Sequence, residues 1–222
     1  MQFTDIKDQI PQPLYDVLTR QGFSEFRPSQ EKALDAGLLD NVSLLICTPT
    51  ASGKTLIAEL ASMKNVLERK GKAVYICPLK ALASEKAKQF RQRYGHLAKV
   101  ALAIGDQDEP DTHLANHDII ICTAEKLDSL IRHHAPWLTQ IATVIIDEIH
   151  LLNDASRGPT LEILITLLRR LLPQVQLIGL SATIGNPQEL ADWLGAELII
   201  DKWRPVPLQQ GVYLDGQIHF DK

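Results

Sequence analysis

Short runs of aliphatic residues alternate along the chain with stretches whose apolar positions recur every three or four residues. The runs are Ser43–Thr48, Ala73–Cys77, Val100–Gly105, Asp118–Thr123, Val144–Asp147 and Leu177–Ser181, with Leu198–Ile200 as a further candidate. They are rich in Val and Ile and read as buried strands. Helical spacing occupies Lys54–Arg69, Leu79–Arg93, Ala124–His133, Pro159–Leu171 and Pro187–Leu194. Alternation of this kind predicts right-handed crossovers and an α/β fold with a mainly parallel sheet and helices on both faces. Ahead of the first strand, Pro13–Gln21 and Ser29–Leu39 read as helices, with Pro28 and Ser29 at the start of the second. At the other end, Trp203–Leu208 reads as an extended connector.

Composition narrows this picture only slightly. The 222 residues are 45% hydrophobic and 23% charged, which suits one sizeable domain with short appendages and leaves no room for a long disordered segment. A net charge of −4 provides no global basic field, so any nucleic-acid binding has to be local. Cys47, Cys77 and Cys122 lie in or beside apolar runs and lack metal-ligand spacing, as expected of reduced, buried thiols in a cytoplasmic protein. The sequence has neither a membrane-spanning apolar stretch nor a signal-peptide start, so an intracellular protein without a membrane partner is expected.

In a parallel sheet, ligand sites gather beyond the carboxyl ends of the strands. The first strand runs into Thr48, Pro49, Thr50, Ala51, Ser52, Gly53, Lys54 and Thr55, and then into a helical stretch. This order suits a nucleoside triphosphate, because loop amides and the helix N-terminus point at phosphate oxygens. Lys54 is expected to neutralise phosphate charge, and the Thr55 hydroxyl to ligate Mg2+. Thr48 stands where the general pattern has its first glycine, and Ala51 where many related loops have another, so a different curl of the loop is expected. A Ser-Gly-Lys-Thr that only caps a helix is the plainer alternative.

A later strand ends in Asp147-Glu-Ile-His150. Strand alternation would send Asp147 and Glu148 to opposite sides, leaving Asp147 to hold the Mg2+ hydration shell and Glu148 to orient and deprotonate a water. Without a phosphate loop the same pair would be an ordinary exposed strand terminus. His150 reads as a structural histidine or as a coupling residue rather than a proton-transfer catalyst.

The Thr-Ala-Ser-Gly-Lys-Thr loop, Asp-Glu-Ile-His and Ser181-Ala182-Thr183 together resemble the signature motifs of superfamily 2 helicases. Within that superfamily the chain is similar to the Ski2-like branch, in particular to archaeal DNA-repair helicases related to HelQ and the helicase part of polymerase theta. Phe26–Gln30, Pro78–Lys86, Thr123–Leu130, Ser156–Glu162, Ser181–Pro187 and Trp203–Leu208 extend the likeness over nearly the whole chain. The resemblance implies a RecA-like three-layer motor domain at residues 41–201, preceded by a helical segment at 1–40 and followed by a connector at 202–222. It implies ATP with Mg2+, and Gln30 reading the adenine edge. Ser181, Ala182 and Thr183 would couple hydrolysis to strand movement, through hydrogen bonds toward His150.

Pro78, Lys80, Ala81, Gly105, Asp106, Thr123 and Lys126 fall where such proteins grip the phosphodiester backbone. Lys80 and Lys126 read equally well as solvated helix charges. Trp137, Trp193 and Trp203 read as core or interface anchors. The implied activity is 3′ to 5′ unwinding of single-stranded or forked DNA, with a second motor domain and further helicase domains in cis beyond Lys222. Alone, the chain is expected to bind nucleotide weakly and hydrolyse it poorly. An RNA helicase of the same branch is an alternative. A non-catalytic nucleotide-binding module is another, against which intact Lys54, Thr55, Asp147 and Glu148 argue.

Overall fold

A computed structural model of the protein describes residues 1–105, 112–207, 209, 211–214 and 216–220. Helices α1 (Gln12–Arg20) and α2 (Pro28–Asp35) precede strand β1 (Leu44–Cys47). There follow α3 (Lys54–Leu67), β2 (Lys72–Cys77), α4 (Lys80–Tyr94), β3 (Val100–Ala103), β4 (Ile119–Thr123) and α5 (Ala124–Arg132). The rest comprises β5 (Ile141–Ile146), α6 (Gly158–Leu171), β6 (Gln176–Ser181), α7 (Pro187–Leu194), β7 (Glu197–Ile200), β8 (Gly211–Leu214) and β9 (Gln217–Phe220). β1 to β7 form one parallel sheet in the order β3-β4-β2-β5-β6-β1-β7, as the alternation predicts.

Side-chain parity divides the core into two layers. Ala73, Tyr75 and Cys77 of β2 pack with Leu56, Ile57 and Leu60 of α3 and with Ala83, Phe90 and Tyr94 of α4. Val74 and Ile76, one residue out of phase, pack on the other face with Leu127 and Leu130 of α5 and Leu161 and Leu164 of α6. Burying both faces explains why these strands are apolar throughout rather than at alternate positions. Trp137 is buried in the second layer, as an anchor should be.

At the amino ends of β5 and β6 the sheet holds a closed polar network. Asn65 donates to Thr143 Oγ1 at 2.7 Å and to Gln176 Oε1 at 3.2 Å, while the Gln176 amide donates to the carbonyls of Leu38 and Val42 at 2.7 and 3.0 Å. Four expectations shift. The second N-terminal helix stops at Asp35, and a separate turn of 3-10 helix (Leu38–Asp40) follows Gly37, a poor helix former. β3 ends at Ala103, short of Gly105, whose φ of +116° leaves the extended region. β5 starts at Ile141, earlier than Val144, because buried Thr143 is held by Asn65. The tail beyond the connector is not merely extended, since β8 and β9 pair as an antiparallel hairpin. Its signal was present in the Asp215-Gly216 pair, a favoured hairpin turn. Among the described residues no helix is long and apolar enough to cross a membrane.

Candidate active site

The phosphate loop leaves the sheet at the end of β1, between β6 and β7. Thr48 donates its amide to the Ser181 carbonyl of β6 at 3.3 Å, and its hydroxyl meets that of Ser52 at 2.7 Å, both residues being buried. Pro49 also faces inward, whereas Thr50 and Ala51 are exposed at the rim. Ala51 takes the left-handed conformation with φ of +65°, which glycine adopts at less cost than alanine. Gly53 then caps α3 with φ of +97°, a backbone that requires glycine, and a Cβ there would also crowd the Gln30 and Arg27 side chains.

Lys54 folds back over the loop and donates to the carbonyls of Thr48 and Ser181, each at 2.8 Å. Burial pulls its ammonium below the ordinary lysine range, and the nearby Glu148 and Asp147 carboxylates partly counter that. Lys54, Thr55, Asp147, Glu148, Arg27 and the loop residues Thr50, Ala51 and Gly53 line one cleft of about 320 Å³. The sequence-distant cation and acids therefore converge.

The two acids diverge, but not by strand alternation. β5 ends at Ile146; Asp147 is held by its amide on the Ile76 carbonyl at 2.9 Å, and Glu148 turns left-handed with φ of +50° and ψ of +46°. That backbone reversal, absent from any strand, is what separates the carboxylates. The Asp147 carboxylate accepts from Tyr75 Oη at 2.9 Å and from the Glu148 amide at 3.1 Å. A threonine hydroxyl and a carboxylate facing one cleft form a hard oxygen set, of the type that Mg2+ takes alongside phosphate oxygens and water.

His150 Nδ1 lies 3.4 Å from both the Ala182 amide and Glu148 Oε2. With a lone pair it accepts from Ala182, and with a proton it can face Glu148, so the two contacts are alternatives. The expected link to the Ser181 and Thr183 hydroxyls is replaced by this backbone contact: Ser181 is buried in register with Cys47, and Thr183 is exposed. Cys47, Cys77 and Cys122 are free, buried thiols. Burial raises all three, Cys77 to about 12 with help from Asp147, so they are poor nucleophiles and poor metal ligands.

Gln30 is buried beneath the loop, donating from Nε2 to the Gly53 carbonyl at 3.0 Å and accepting the Arg27 amide at 2.9 Å. A second, polar cavity of about 370 Å³ adjoins the phosphate loop and is lined by Phe23, Arg27, Gln30, Gly53, Thr55 and Glu59 among others. Arg27 borders both cavities. Its guanidinium donates to the Ala51 carbonyl at 2.7 Å and lies 5.4 Å from the Trp203 ring centre. Sequence reading missed it, although it sits within the Phe26–Gln30 segment, where attention fell on the amide alone.

A family model described as DEAD/DEAH box helicase matches residues 27–190. The chain belongs to that family. It is 49% identical over 213 residues to the ATP-dependent DNA helicase Hel308 of Pyrococcus horikoshii, covering 96% of this chain and 29% of that protein. To the Hel308 of Methanocaldococcus jannaschii it is 52% identical over 214 residues, covering 93% of this chain and 18% of the relative. The chain thus spans less than a third of either relative. Among solved structures, the DUF1998 helicase MrfA superposes with a TM-score of 0.76 at 27% identity, covering 86% of this chain and 33% of that one. MrfA bound to DNA and AMPPNP gives a TM-score of 0.74 at 27% identity, covering 87% and 29%. The resemblance to Ski2-like helicases and the RecA-like α/β fold are both borne out.

For a DEAD/DEAH box helicase the strand order carries meaning. β3, β4 and β2 are neighbours, so Gly105, Thr123 and the Pro78–Ala81 segment lie side by side at one half of the carboxyl edge, with Cys77 in register with Thr123. The phosphate loop occupies the other half, and β5 with its acids lies between. α4 begins at Lys80, after Leu79 as an N-cap residue that makes no side-chain cap bond, and Leu79, Lys80, Ala81 and Leu82 are exposed there. Thr123 differs, because its hydroxyl accepts from the Lys126 amide at 3.4 Å and caps α5. Lys126 is only 5% exposed, which overturns its reading as a solvated charge. A Cβ on Gly105 would meet nothing within 4 Å, so its positive φ rather than crowding favours glycine. Asp106 lies outside the described residues.

Proposed function

We propose that the chain is the ATP-binding first motor domain of an ATP-dependent 3′ to 5′ DNA helicase, acting on single-stranded or forked DNA in repair and recombination. The observation that carries this reading is the single cleft lined by Lys54, Thr55, Asp147 and Glu148. Residues 1–40 supply the base-side wall, 41–201 the motor core, and 202–222 the connector toward a second motor domain. The partial coverage of the Hel308 relatives supports further domains in cis.

In this reading the triphosphate enters against the loop amides at the N-terminus of α3, where amide dipoles favour anions. Lys54 and Arg27, which both line the cleft, neutralise phosphate charge. Thr55 and Asp147 would hold Mg2+, which would neutralise charge developing on the phosphate oxygens. Glu148, its side chain 39% exposed, orients the attacking water and takes its proton. The base lodges in the polar cavity beside Gln30, whose amide must release the Gly53 carbonyl to read the adenine edge. Ser181 and Ala182 neighbour both the Lys54 ammonium and His150, which supports a coupling role for the 181–183 segment. The uncapped start of α4 supports a phosphodiester contact at Pro78, Lys80 and Ala81, read by shape and charge rather than by sequence.

Glu148→Gln in the complete protein should bind ATP with near-parental affinity and lose DNA-stimulated hydrolysis by about a hundredfold or more. Undiminished hydrolysis would remove Glu148 from its role. Stronger stimulation by RNA than by single-stranded DNA would move the protein to the RNA-directed reading. The 222-residue chain by itself should hydrolyse ATP slowly, since an arginine supplied from another domain is worth roughly three to five powers of ten in rate in related phosphoryl-transfer sites.

A further inference from the structure

Strand β2 is apolar along its buried length except for one hydroxyl. Tyr75, 1% exposed, stands on the face shared with α3 and α4. A phenol withdrawn from water must find an acceptor inside the protein. It finds Asp147 Oδ2 at 2.9 Å, at the end of the neighbouring strand. The ring is fixed independently of that bond, since Phe90 packs edge-on with centroids 5.8 Å apart and Lys86 Nζ lies 5.3 Å from its centre. Oδ1 of the same carboxylate accepts the Glu148 amide at 3.1 Å. Each oxygen of Asp147 therefore has one lone pair committed to the protein, and what remains faces the cleft that Lys54 and Thr55 also line.

We infer that Tyr75 is a positioning residue: its hydroxyl fixes the Asp147 carboxylate in the orientation that a nucleotide-bound divalent cation requires. The inference rests on the nucleotide reading above and assigns a role to a residue outside the helicase motifs. A phenol needed for packing alone would use only its ring, and phenylalanine would replace it without cost at the cleft. A carboxylate that ligates a metal behaves otherwise, because its hydrogen-bond partners fix its rotamer, and removing one typically weakens metal binding by ~10–100-fold. β2 is suited to the task. It pairs with β5 through Ile76 and Ile146, so the donor sits on a rigid ladder next to the acid it holds.

The test compares the parent chain, Tyr75→Phe and Asp147→Asn by binding of a fluorescent, non-hydrolysable ATP analogue, in EDTA and across a Mg2+ titration. For Tyr75→Phe, affinity in EDTA should stay within about twofold of the parent, while the Mg2+ concentration giving half of the tightening rises roughly tenfold or more. Asp147→Asn should abolish most of the Mg2+-dependent tightening. An unchanged Mg2+ midpoint in Tyr75→Phe overturns the inference, as does an equal loss in EDTA and in Mg2+, which marks a general structural defect. Unaltered Mg2+ dependence in Asp147→Asn overturns it as well, by removing the ligand that Tyr75 is said to position. If the parent binds no nucleotide in either arm, the nucleotide reading itself fails, and this inference falls with it.

Discussion

The two ends of the central sheet treat buried polar groups in opposite ways. At the amino end, Asn65, Thr143 and Gln176 hydrogen-bond to one another and to the backbone of the Leu38–Val42 turn. At the carboxyl end, Lys54 is partly desolvated, Ala51 and Glu148 hold left-handed backbone, and the acids face a cleft. The first arrangement contributes stability and fixes register. The second maintains charge and backbone strain ready for a ligand, at some cost to stability.

Between the two lies the Glu59–Arg93–Tyr94 cluster. It borders the polar cavity yet is internally satisfied, with Arg93 and Tyr94 donating to Glu59 Oε2 at 2.5 and 2.8 Å. It offers the largest test of the contrast. Arg93→Met should destabilise the fold by about 4 kcal/mol at neutral pH, because it leaves a buried carboxylate without its ion-pair partner. Burial raises the Glu59 carboxyl above its ordinary value, with Arg93 the main opposing influence. The folded state thus binds that proton more tightly than the unfolded chain does, so the group's contribution to stability falls as pH climbs from the ordinary carboxylate range through the raised value. Removing Arg93 raises the folded value further. The deficit of Arg93→Met in chemical denaturation should accordingly be smaller at about pH 5 than at about pH 8, and pH independence would mean that Glu59 is not the responsible group.

Next in size is Asn65→Ala, which strands Thr143 and one Gln176 acceptor and should cost about 3 kcal/mol while leaving nucleotide affinity intact. Loss of affinity in this variant would break the separation of the two ends. Lys54→Met works in the other direction. It removes a desolvated charge but frees two carbonyls, so unfolding should shift by about 1 kcal/mol or less while the nucleotide-induced rise in Tm disappears. Destabilisation as large as that of Asn65→Ala would show that the cleft is structural after all. The smallest effect belongs to Ala51→Gly, where relief of the left-handed alanine is largely offset by unfolded-state entropy. A gain of roughly 0.5 kcal/mol is expected.

The Val and Ile runs and the helical spacing determined the parallel sheet, because a strand buried on both faces has to be apolar at every position, and that demand is written locally. The phosphate loop and the acidic pair were legible for a related reason: each is a contiguous segment whose residue types follow from phosphate and water chemistry. Only the tertiary structure decided the rest. Asp147 and Glu148 separate through a left-handed turn that no strand rule anticipates, and Lys126 turned out to be buried rather than solvated. Arg27 and Tyr75 act across strands and loops, on Ala51 and Asp147 respectively. An arginine before a proline or a tyrosine in an apolar strand carries no sign of its partner, because hydrogen bonds between residues 24 or 72 positions apart are set by strand order and register, which arise only when the sheet assembles.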